Sequence, residues 1–152
     1  MEKSGGKNFS VKAQLLKKGA VLPEKQSAGS AGFDIRACMD APLELAPLER
    51  AAIPTGIALE IPLGYEGQVR PRSGLARNKG VTVLNSPGTI DSDYRGEIHI
   101  IVINLGKESV TIQNGDRIAQ LVFSPVQNAV IHVTDTLSVT ERGGKGFGST
   151  GL

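Results

Sequence analysis

The sequence predicts an all-β protein, a sandwich, jelly roll or barrel of short strands with one short helix. Short runs of alternating apolar and polar residues recur along the chain, and turn-forming residues separate them. With 19 Gly and 8 Pro in 152 residues, the chain favours short strands over long helices. Its length fits one domain with its own core, which Ile, Val, Leu and Ala must fill because only 4% of residues are aromatic.

The N-terminal half contains four of these runs. "FSVKAQLL" at 9–16 alternates and predicts a strand, and the turn-forming residues of 23–32 predict a loop. "FDIRACM" at 33–39 alternates again. The run at 50–62 predicts two short strand pieces with an interruption at Pro54, because proline cannot donate to a sheet ladder.

The middle of the chain holds the predicted helix. A strand ends near Val69, and Pro71 breaks it. A short helix is predicted from Ser73 to Asn78, with Gly80 just beyond its end, where glycine commonly terminates a helix.

The second half returns to strands. "EIHIIVINL" at 97–105 is the most strongly β-branched run and predicts a central strand. Turn-forming residues at 86–88 and 106–109 bound it. His99 and His132 lie in apolar runs without metal-ligand spacing, so both are expected to be structural. The other predicted strands are 81–85, 109–113, 117–126 and 129–136.

Charge and cysteine content restrict the class of protein. A net charge of +2 is too small to predict stable binding to nucleic acid or to a membrane. The single Cys38 excludes an intramolecular disulfide framework and fits a reducing compartment. No apolar run reaches spanning length, and residues 1–10 lack the apolar core of a signal peptide. A cytoplasmic location is therefore expected.

A basic segment surrounds the predicted helix start. Four cations lie within residues 70–80, and Arg72, Ser73 and Gly74 stand where free backbone N–H groups favour an anion. An arginine beside such groups suits phosphate. A helix cap followed by a solvated basic face explains the same residues, and composition alone leaves the two interpretations even.

An acidic segment follows between two apolar strands. It places Asp91, Asp93 and Glu97 around Tyr94 and Arg95. A carboxylate here could hold a water as general base or bind a divalent cation. The simpler interpretation is an acidic turn in which Arg95 is a salt-bridge partner.

Two strand residues and the C-terminal segment complete the candidates. Asp34 lies either on a solvent face or near a metal, and Gln120 is a polar residue within an apolar strand. The glycines of residues 142–152 prevent that segment from packing by itself. Its hydrogen-bond donors and the ring of Phe147 suit a lid that closes over a nucleotide. A disordered solubilising tail is the alternative.

Five segments, in this order and at these intervals, closely resemble the five motifs of the homotrimeric dUTPases. The resemblance extends from residue 31 to the C-terminus, and "GTIDSDYRGEI" and "RGGKGFGSTG" make it specific. The five segments are 31–37, 70–76, 85–98, 115–122 and 142–151.

The resemblance implies a trimer of jelly-roll subunits with active sites at the subunit interfaces. Residues 1–141 would form the catalytic domain, and 142–152 a flexible, Gly-rich lid. Members of this family split dUTP into dUMP and pyrophosphate by water attack at the α-phosphorus, with Mg²⁺ on the triphosphate. That activity would keep uracil out of DNA and supply dUMP for thymidylate synthesis.

The third motif implies the nucleoside site. Asp91 resembles the carboxylate that orients and deprotonates the attacking water and touches the sugar 3′-hydroxyl. Tyr94 resembles the ring under the deoxyribose that leaves no room for a 2′-hydroxyl. Asn85 matches the position that reads the uracil edge together with backbone groups of the same hairpin. The hairpin positions are Gly88, Thr89 and Ile90.

Three further motifs imply the phosphate and metal contacts. Arg72, Ser73 and Gly74 match the phosphate-binding second motif, and Gln120 matches a phosphate contact in the fourth. Asp34 resembles the first-motif acid that supports the Mg²⁺ site through water rather than by direct ligation.

The fifth motif implies a lid that other subunits can share. Phe147 would stack on uracil, while Arg142, Ser149 and Thr150 would hold the γ-phosphate, and Gly146 matches a glycine of the motif. In the family this segment often reaches a site built by other subunits.

Two other functions compete with this one. The dCTP deaminases are similar in fold, but their glutamate base stands in the register of Ile101, where this chain has no acid. A non-catalytic trimer could instead use the cleft to bind a nucleotide or a protein partner. Intact Asp91 and Tyr94 argue against a lost activity without excluding a second, regulatory role.

Overall fold

The computed structural model describes residues 9–146 and confirms the predicted all-β architecture with a short helix. Within that span the helix is α1 (Ser73–Lys79). The strands are β1 (Lys12–Leu15), β2 (Phe33–Arg36), β3 (Leu43–Leu45), β4 (Arg50–Pro54), β5 (Ile57–Glu60), β6 (Tyr65–Arg70), β7 (Val81–Val83), β8 (Gly88–Ile90), β9 (His99–Asn104), β10 (Val110–Ile112) and β11 (Arg117–Pro125).

The strands pair antiparallel in four sheets. The largest has the order β2-β11-β6-β8, and a second has the order β4-β9-β7. Two smaller sheets pair β1 with β5 and β3 with β10. The core between them is aliphatic, as the low aromatic content requires, and its fully buried side chains include Ile35, Ile53 and Leu121.

The predicted central strand is confirmed as β9. It lies between β4 and β7, and Ile100, Val102 and Asn104 are at most 1% exposed. His99 and Ile101 alternate with these residues and point to the opposite face. The β-branched run therefore forms the middle strand of its sheet, and one of its faces is completely covered.

The predicted helix is also confirmed, one residue longer than expected at its C-terminal end. It begins at Ser73 and ends at Lys79, and Gly80 follows at φ 69°, where its N–H donates to the carbonyl of Ala76 at 3.0 Å. A Cβ on Gly80 would lie 2.5 Å from the backbone nitrogen of Gly106. Both the left-handed backbone and this close approach require glycine.

Two predictions for the strands were wrong. Gly88–Ile90 is a strand paired with β6, although the sequence indicated a turn and a loop there. Residues 129–136 form no strand, and their apolar side chains are largely exposed, with Ile131 at 93% and Val133 at 100%. Alternation alone is not sufficient, because a strand needs a neighbouring backbone for its hydrogen bonds.

No helix in the described part of the chain has the length and apolar character needed to span a bilayer.

Asn104 fastens the end of β9 to the end of β3 and to the loop that follows β9. Its side chain is fully buried, and Nδ2 donates to the carbonyls of Leu45 at 2.9 Å and Glu108 at 2.8 Å. Its Oδ1 accepts the N–H of Gly106 at 2.8 Å. The donors and the acceptor of the amide are thus satisfied by backbone groups from three places.

We expect Asn104→Ala to lower the free energy of unfolding by about 2–4 kcal/mol, because it leaves the buried carbonyl of Leu45 and two partly buried backbone groups without their partner. Urea denaturation measures the change. Asn78→Ala, on the exposed face of α1, is the control and should change stability by less than about 0.5 kcal/mol. Equal effects of the two substitutions would contradict a structural role for Asn104.

Candidate active site

Six predicted residues line one pocket of about 310 Å³, here called the hairpin pocket. They are Asn85, Gly88, Thr89, Ile90, Asp91 and Tyr94. Pairing of β8 with β6 places Gly88 opposite Val69 and so attaches this segment to the four-stranded sheet. A Cβ on Gly88 would lie 3.3 Å from both Asn85 Nδ2 and Val69 Cβ, and glycine allows the amide to approach this closely.

A tight turn holds Tyr94 at the pocket wall. Its N–H donates to the carbonyl of Asp91 at 3.2 Å, and its hydroxyl donates to the carbonyl of Glu97 at 3.0 Å. The ring lies so close to Gly96 that a Cβ there would be 2.5 Å from the hydroxyl oxygen. Tyr94 is nevertheless 45% exposed, so the anchored ring can still contact a ligand.

Arg95 stabilises this turn through backbone carbonyls rather than through the neighbouring acids. Its Nη1 donates to the carbonyls of Ser92 at 2.7 Å and Tyr94 at 3.0 Å. No ion pair joins it to Asp91 or Asp93 within residues 9–146. The interpretation of Arg95 as the salt-bridge partner of an acidic turn is therefore wrong, and exposed Asp91 is free of it.

Glu97 anchors the end of this segment to the chain before β5. Its Oε1 accepts the N–H of Gly56 at 2.8 Å and lies 4.0 Å from Lys17 Nζ. Its Oε2 lies 3.9 Å from Nε2 of His99. His99 was expected to be structural, but it lines the hairpin pocket. Ile98 and Ile100 on either side line the same pocket but are buried, so His99 is the exposed residue of the three.

The predicted residues outside the third motif form a second group, centred on the partly buried carboxylate of Asp34. The Oδ1 of Asp34 accepts Nε of Arg72 at 3.2 Å, and its Oδ2 accepts Nη1 of Arg117 at 3.1 Å. Gln120 Nε2 donates to the carbonyl of Pro71 at 2.9 Å, directly before Arg72. Arg117 is not among the residues that the sequence pattern predicts. We call Arg72, Asp34 and Arg117 the arginine cluster.

The start of α1 presents backbone N–H groups beside this cluster. Arg72 occupies the N-cap position with extended dihedrals and makes no side-chain cap. Ser73 and Gly74 are exposed, and a Cβ on Gly74 would meet no atom of the described residues within 4 Å. Packing within the described part of the chain therefore does not explain why glycine stands there.

Asp34 is the candidate metal-supporting residue, and its surroundings suit an indirect role. Each carboxylate oxygen already accepts one arginine N–H, while an ionised carboxylate has about four acceptor sites. Residues 9–146 contain no group of three or more His, Cys, Asp or Glu side chains arranged to hold an ion. The remaining acceptor sites of Asp34 fit contact with a cation through water.

The predicted lid is only partly described. Arg142 is exposed, and its Nε donates to the carbonyl of Lys145 at 2.9 Å within a local turn. Gly146 is the last described residue. The predictions for Phe147, Ser149 and Thr150 lie outside the described residues. The boundary at 141/142 stays a prediction.

Within one chain, the predicted residues therefore form two groups and not one. The lining of the hairpin pocket does not include Asp34, Arg72 or Gln120. A larger groove of about 530 Å³ is lined mainly by apolar side chains, among them Phe33 and Phe123, and contains none of the predicted residues. Its chemistry does not suit a phosphorylated ligand.

Comparison with known proteins identifies the family that shares these features. The family model described as dUTPase matches residues 18–151. The deoxyuridine 5′-triphosphate nucleotidohydrolase of Bdellovibrio bacteriovorus is 62% identical over 130 residues, which cover 86% of this chain and 87% of the relative. The enzyme of the same description from Treponema denticola is 56% identical over 137 residues, which cover 90% and 95%.

Solved structures agree with the sequence comparison. The dUTPase of Staphylococcus bacteriophage 80alpha with dUpNHpp has a TM-score of 0.86 and 31% identity, and the match covers 95% of this chain and all of the other. A mutant dUTPase from phage phi11 of S. aureus, described with a structural Mg(II) ion, has a TM-score of 0.76 and 25% identity, and that match covers 84% and 98%.

Proposed function

Because this chain belongs to the dUTPase family, we propose that it hydrolyses dUTP to dUMP and pyrophosphate. The observation that carries the proposal is the hairpin pocket, where an amide, a carboxylate, a phenol ring and a strand edge share one cavity of about 310 Å³. These are the groups that a nucleobase, a reacting water and a sugar require.

The hairpin supplies the base selectivity. The Asn85 amide and the backbone of Gly88, Thr89 and Ile90 offer both donors and acceptors to the edge of uracil. Cytosine would present a mismatched donor and acceptor, and the thymine methyl would be excluded by the tight hairpin. Tyr94, held by its bond to Glu97, would lie under the deoxyribose and exclude a ribose 2′-hydroxyl.

Asp91 is the proposed general base. It accepts a proton from a water whose oxygen attacks the α-phosphorus, and the bond from that phosphorus to the bridging oxygen breaks. Pyrophosphate then leaves with the electron pair of that bond. A carboxylate of ordinary basicity suffices if the water is well placed and desolvated.

The phosphate contacts belong to the arginine cluster and the lid. We assign Arg72, Ser73, Gly74 and Gln120 to the triphosphate. Gln120 belongs with this group because its Nε2 donates to the carbonyl of Pro71, directly before Arg72. The proposed lid contacts are Arg142, Gly146, Phe147, Ser149 and Thr150. Bound Mg²⁺ would neutralise charge on the triphosphate, with Asp34 supporting it through water.

We propose that the working form is a homotrimer with composite sites. The arginine cluster contributes no residue to the lining of the hairpin pocket, and a second copy would complete a site that uses both groups. The exposed apolar residues of the segment 126–140 support association, because a surface of this kind is normally covered. They include Val130, Ile131, Val133, Leu137 and Val139.

The proposed activity would keep uracil out of DNA and supply dUMP for thymidylate synthesis. We place it in the cytoplasm, and the free, buried thiol of Cys38 fits a reducing compartment. A dCTP deaminase is the competing activity, and the position of its glutamate base is taken by Ile101 on β9.

We expect purified protein with Mg²⁺ to release pyrophosphate from dUTP and to leave dCTP, dTTP and UTP almost unchanged, since each differs from dUTP at a position that the hairpin pocket reads. Pyrophosphate and ammonia release are measured for each nucleotide. Removal of Mg²⁺ with EDTA should stop most of the dUTP reaction. Absent pyrophosphate release, equal turnover of the four nucleotides, or ammonia release from dCTP would refute the assignment.

Asp91→Asn should lower kcat for dUTP by about 10³-fold, because the amide cannot accept the proton of the attacking water. Affinity for dUpNHpp should stay within a few-fold, as measured by calorimetry. Asp93→Asn makes the same change of charge two residues away in the same turn and is the matched control, with turnover near that of the unsubstituted protein. If the Asp91→Asn protein loses affinity for dUpNHpp by as large a factor as it loses kcat, Asp91 acts mainly in sugar recognition and not as the base.

Truncation after Glu141 should remove most turnover while leaving the mass of three chains, because the proposed interface lies before the cut and the lid after it. Light scattering gives the mass, and pyrophosphate release gives the activity. A truncated protein that dissociates or unfolds would make the segment structural. A full-length chain that scatters as a monomer would overturn the composite site.

A further inference from the structure

The carboxylate of Asp34 joins two arginines from distant parts of the chain. Arg72 Nε donates to Oδ1 at 3.2 Å, and Arg117 Nη1 donates to Oδ2 at 3.1 Å. The Asp34 side chain is 13% exposed, against 25% for Arg72 and 38% for Arg117. The acid is thus the least exposed member of the cluster, and its two cations extend toward solvent.

A β-bulge in β11 directs Arg117 toward this acid. Gln120 pairs with Asp34, whereas Arg117 pairs with Arg36, so the register shifts by one residue between Arg117 and Ala119. Ile118 and Ala119 are accordingly both buried, although successive residues of a regular strand face opposite sides. The additional residue places Arg117 on the same face as Asp34, where a regular ladder would have turned it away.

Arg117 also holds Arg72 directly through its backbone. Arg72 Nη1 donates to the carbonyl of Arg117 at 2.9 Å, so Nε and Nη1 of Arg72 both have fixed acceptors. Two bonds define the plane of a guanidinium group, and Nη2 has no acceptor among residues 9–146. The Nη2 edge remains for an anion.

Charge gives Arg117 a second effect on the cluster. Arg72 and Asp34 alone form a neutral pair, which would attract a triphosphate weakly. Arg117 brings the cluster to a formal charge of +1 while its bond to Asp34 keeps the acid turned toward the arginines. The same Nη1 of Arg117 also donates to Gln26 Oε1 at 3.0 Å, and this second bond further fixes the guanidinium.

We propose that Arg117 is a positioning residue for triphosphate recognition and acts through Asp34 and Arg72. The inference rests on the proposed function, because it takes the Nη2 edge of Arg72 to contact a phosphate of dUTP. Removal of the Arg117 side chain would leave Asp34 with one cation and free to turn away from Arg72, whose bond to the backbone carbonyl of residue 117 would remain. The cost should fall on ligands that reach Arg72 and spare ligands that occupy only the hairpin pocket.

The test uses two ligands and the full-length protein. Arg117→Gln should weaken binding of dUpNHpp about 10-fold, as expected for loss of one charge-assisted hydrogen bond, and change the affinity for deoxyuridine by less than about 2-fold. Arg117→Lys keeps the charge and should recover part of the loss. Arg36→Ala is the matched control, since Arg36 lies opposite Arg117 but donates to the carbonyl of Gly115 at 2.9 Å.

A double-mutant cycle separates positioning from direct contact. If Arg117 acts through Arg72, Arg72→Ala combined with Arg117→Gln should bind dUpNHpp no more than about 2-fold more weakly than Arg72→Ala alone. Losses that multiply would mean that Arg117 contacts the phosphates itself, and the proposal would fail.

The remaining outcomes separate this proposal from the proposed function. An equal loss of deoxyuridine and dUpNHpp binding, or a loss matched by Arg36→Ala, would make Arg117 merely structural and would overturn the proposal. Unsubstituted protein that hydrolyses dUTP, with Arg117→Gln binding dUpNHpp equally well, refutes only the positioning role. Unsubstituted protein that neither binds dUpNHpp nor hydrolyses dUTP refutes the proposed function. Thermal melting checks each fold, and Arg117→Lys substitutes if Arg117→Gln does not fold.

Discussion

The pairing of β6 with a strand on each edge is the interaction on which both groups of candidate residues depend. On one edge β8 attaches the hairpin pocket, and on the other β11 places Gln120 opposite Arg70. Pro71 then ends the strand and delivers Arg72 to Asp34. A slip of one residue along β6 would reverse the faces of its neighbours and disturb both groups together.

Periodicity predicted most of the strands that have one buried face, although it missed the three-residue β3, which buries Leu45. β9 shows why, since Ile100 and Val102 lie in the core while Ile101 faces outward. It failed at Gly88–Ile90, because Pro87 and Gly88 have the composition of a turn although β6 pairs with the backbone that follows. It also failed for 129–136, where alternation is present but the described chain offers no paired strand. Both errors concern pairing, which depends on residues distant in sequence.

The same distinction applies to the candidate site. Residues 85–94 are close in sequence, so a single motif is enough to predict most of the hairpin pocket. The arginine cluster joins Asp34 to residues 38 and 83 positions away, and only the fold brings them together. The sequence does not predict the role of Arg117, because this residue follows Gly115 and Asp116 closely and is taken for part of their turn. Its signal in the sequence is weak: two apolar residues, Ile118 and Ala119, stand between two polar ones.

The bulge in β11 leaves Ile118 without a partner on β2. Another apolar side chain in place of Ile118 would still point into the core, so conservative substitution should leave the fold intact. Deletion of that residue would restore a regular ladder in which Arg117 directly precedes Ala119 and still shares the face of Asp34, so the main loss would be the buried side chain of Ile118. In a related sequence, an arginine can therefore share the face of Asp34 in two ways, either three residues before the glutamine with a bulge or two residues before it in a regular strand.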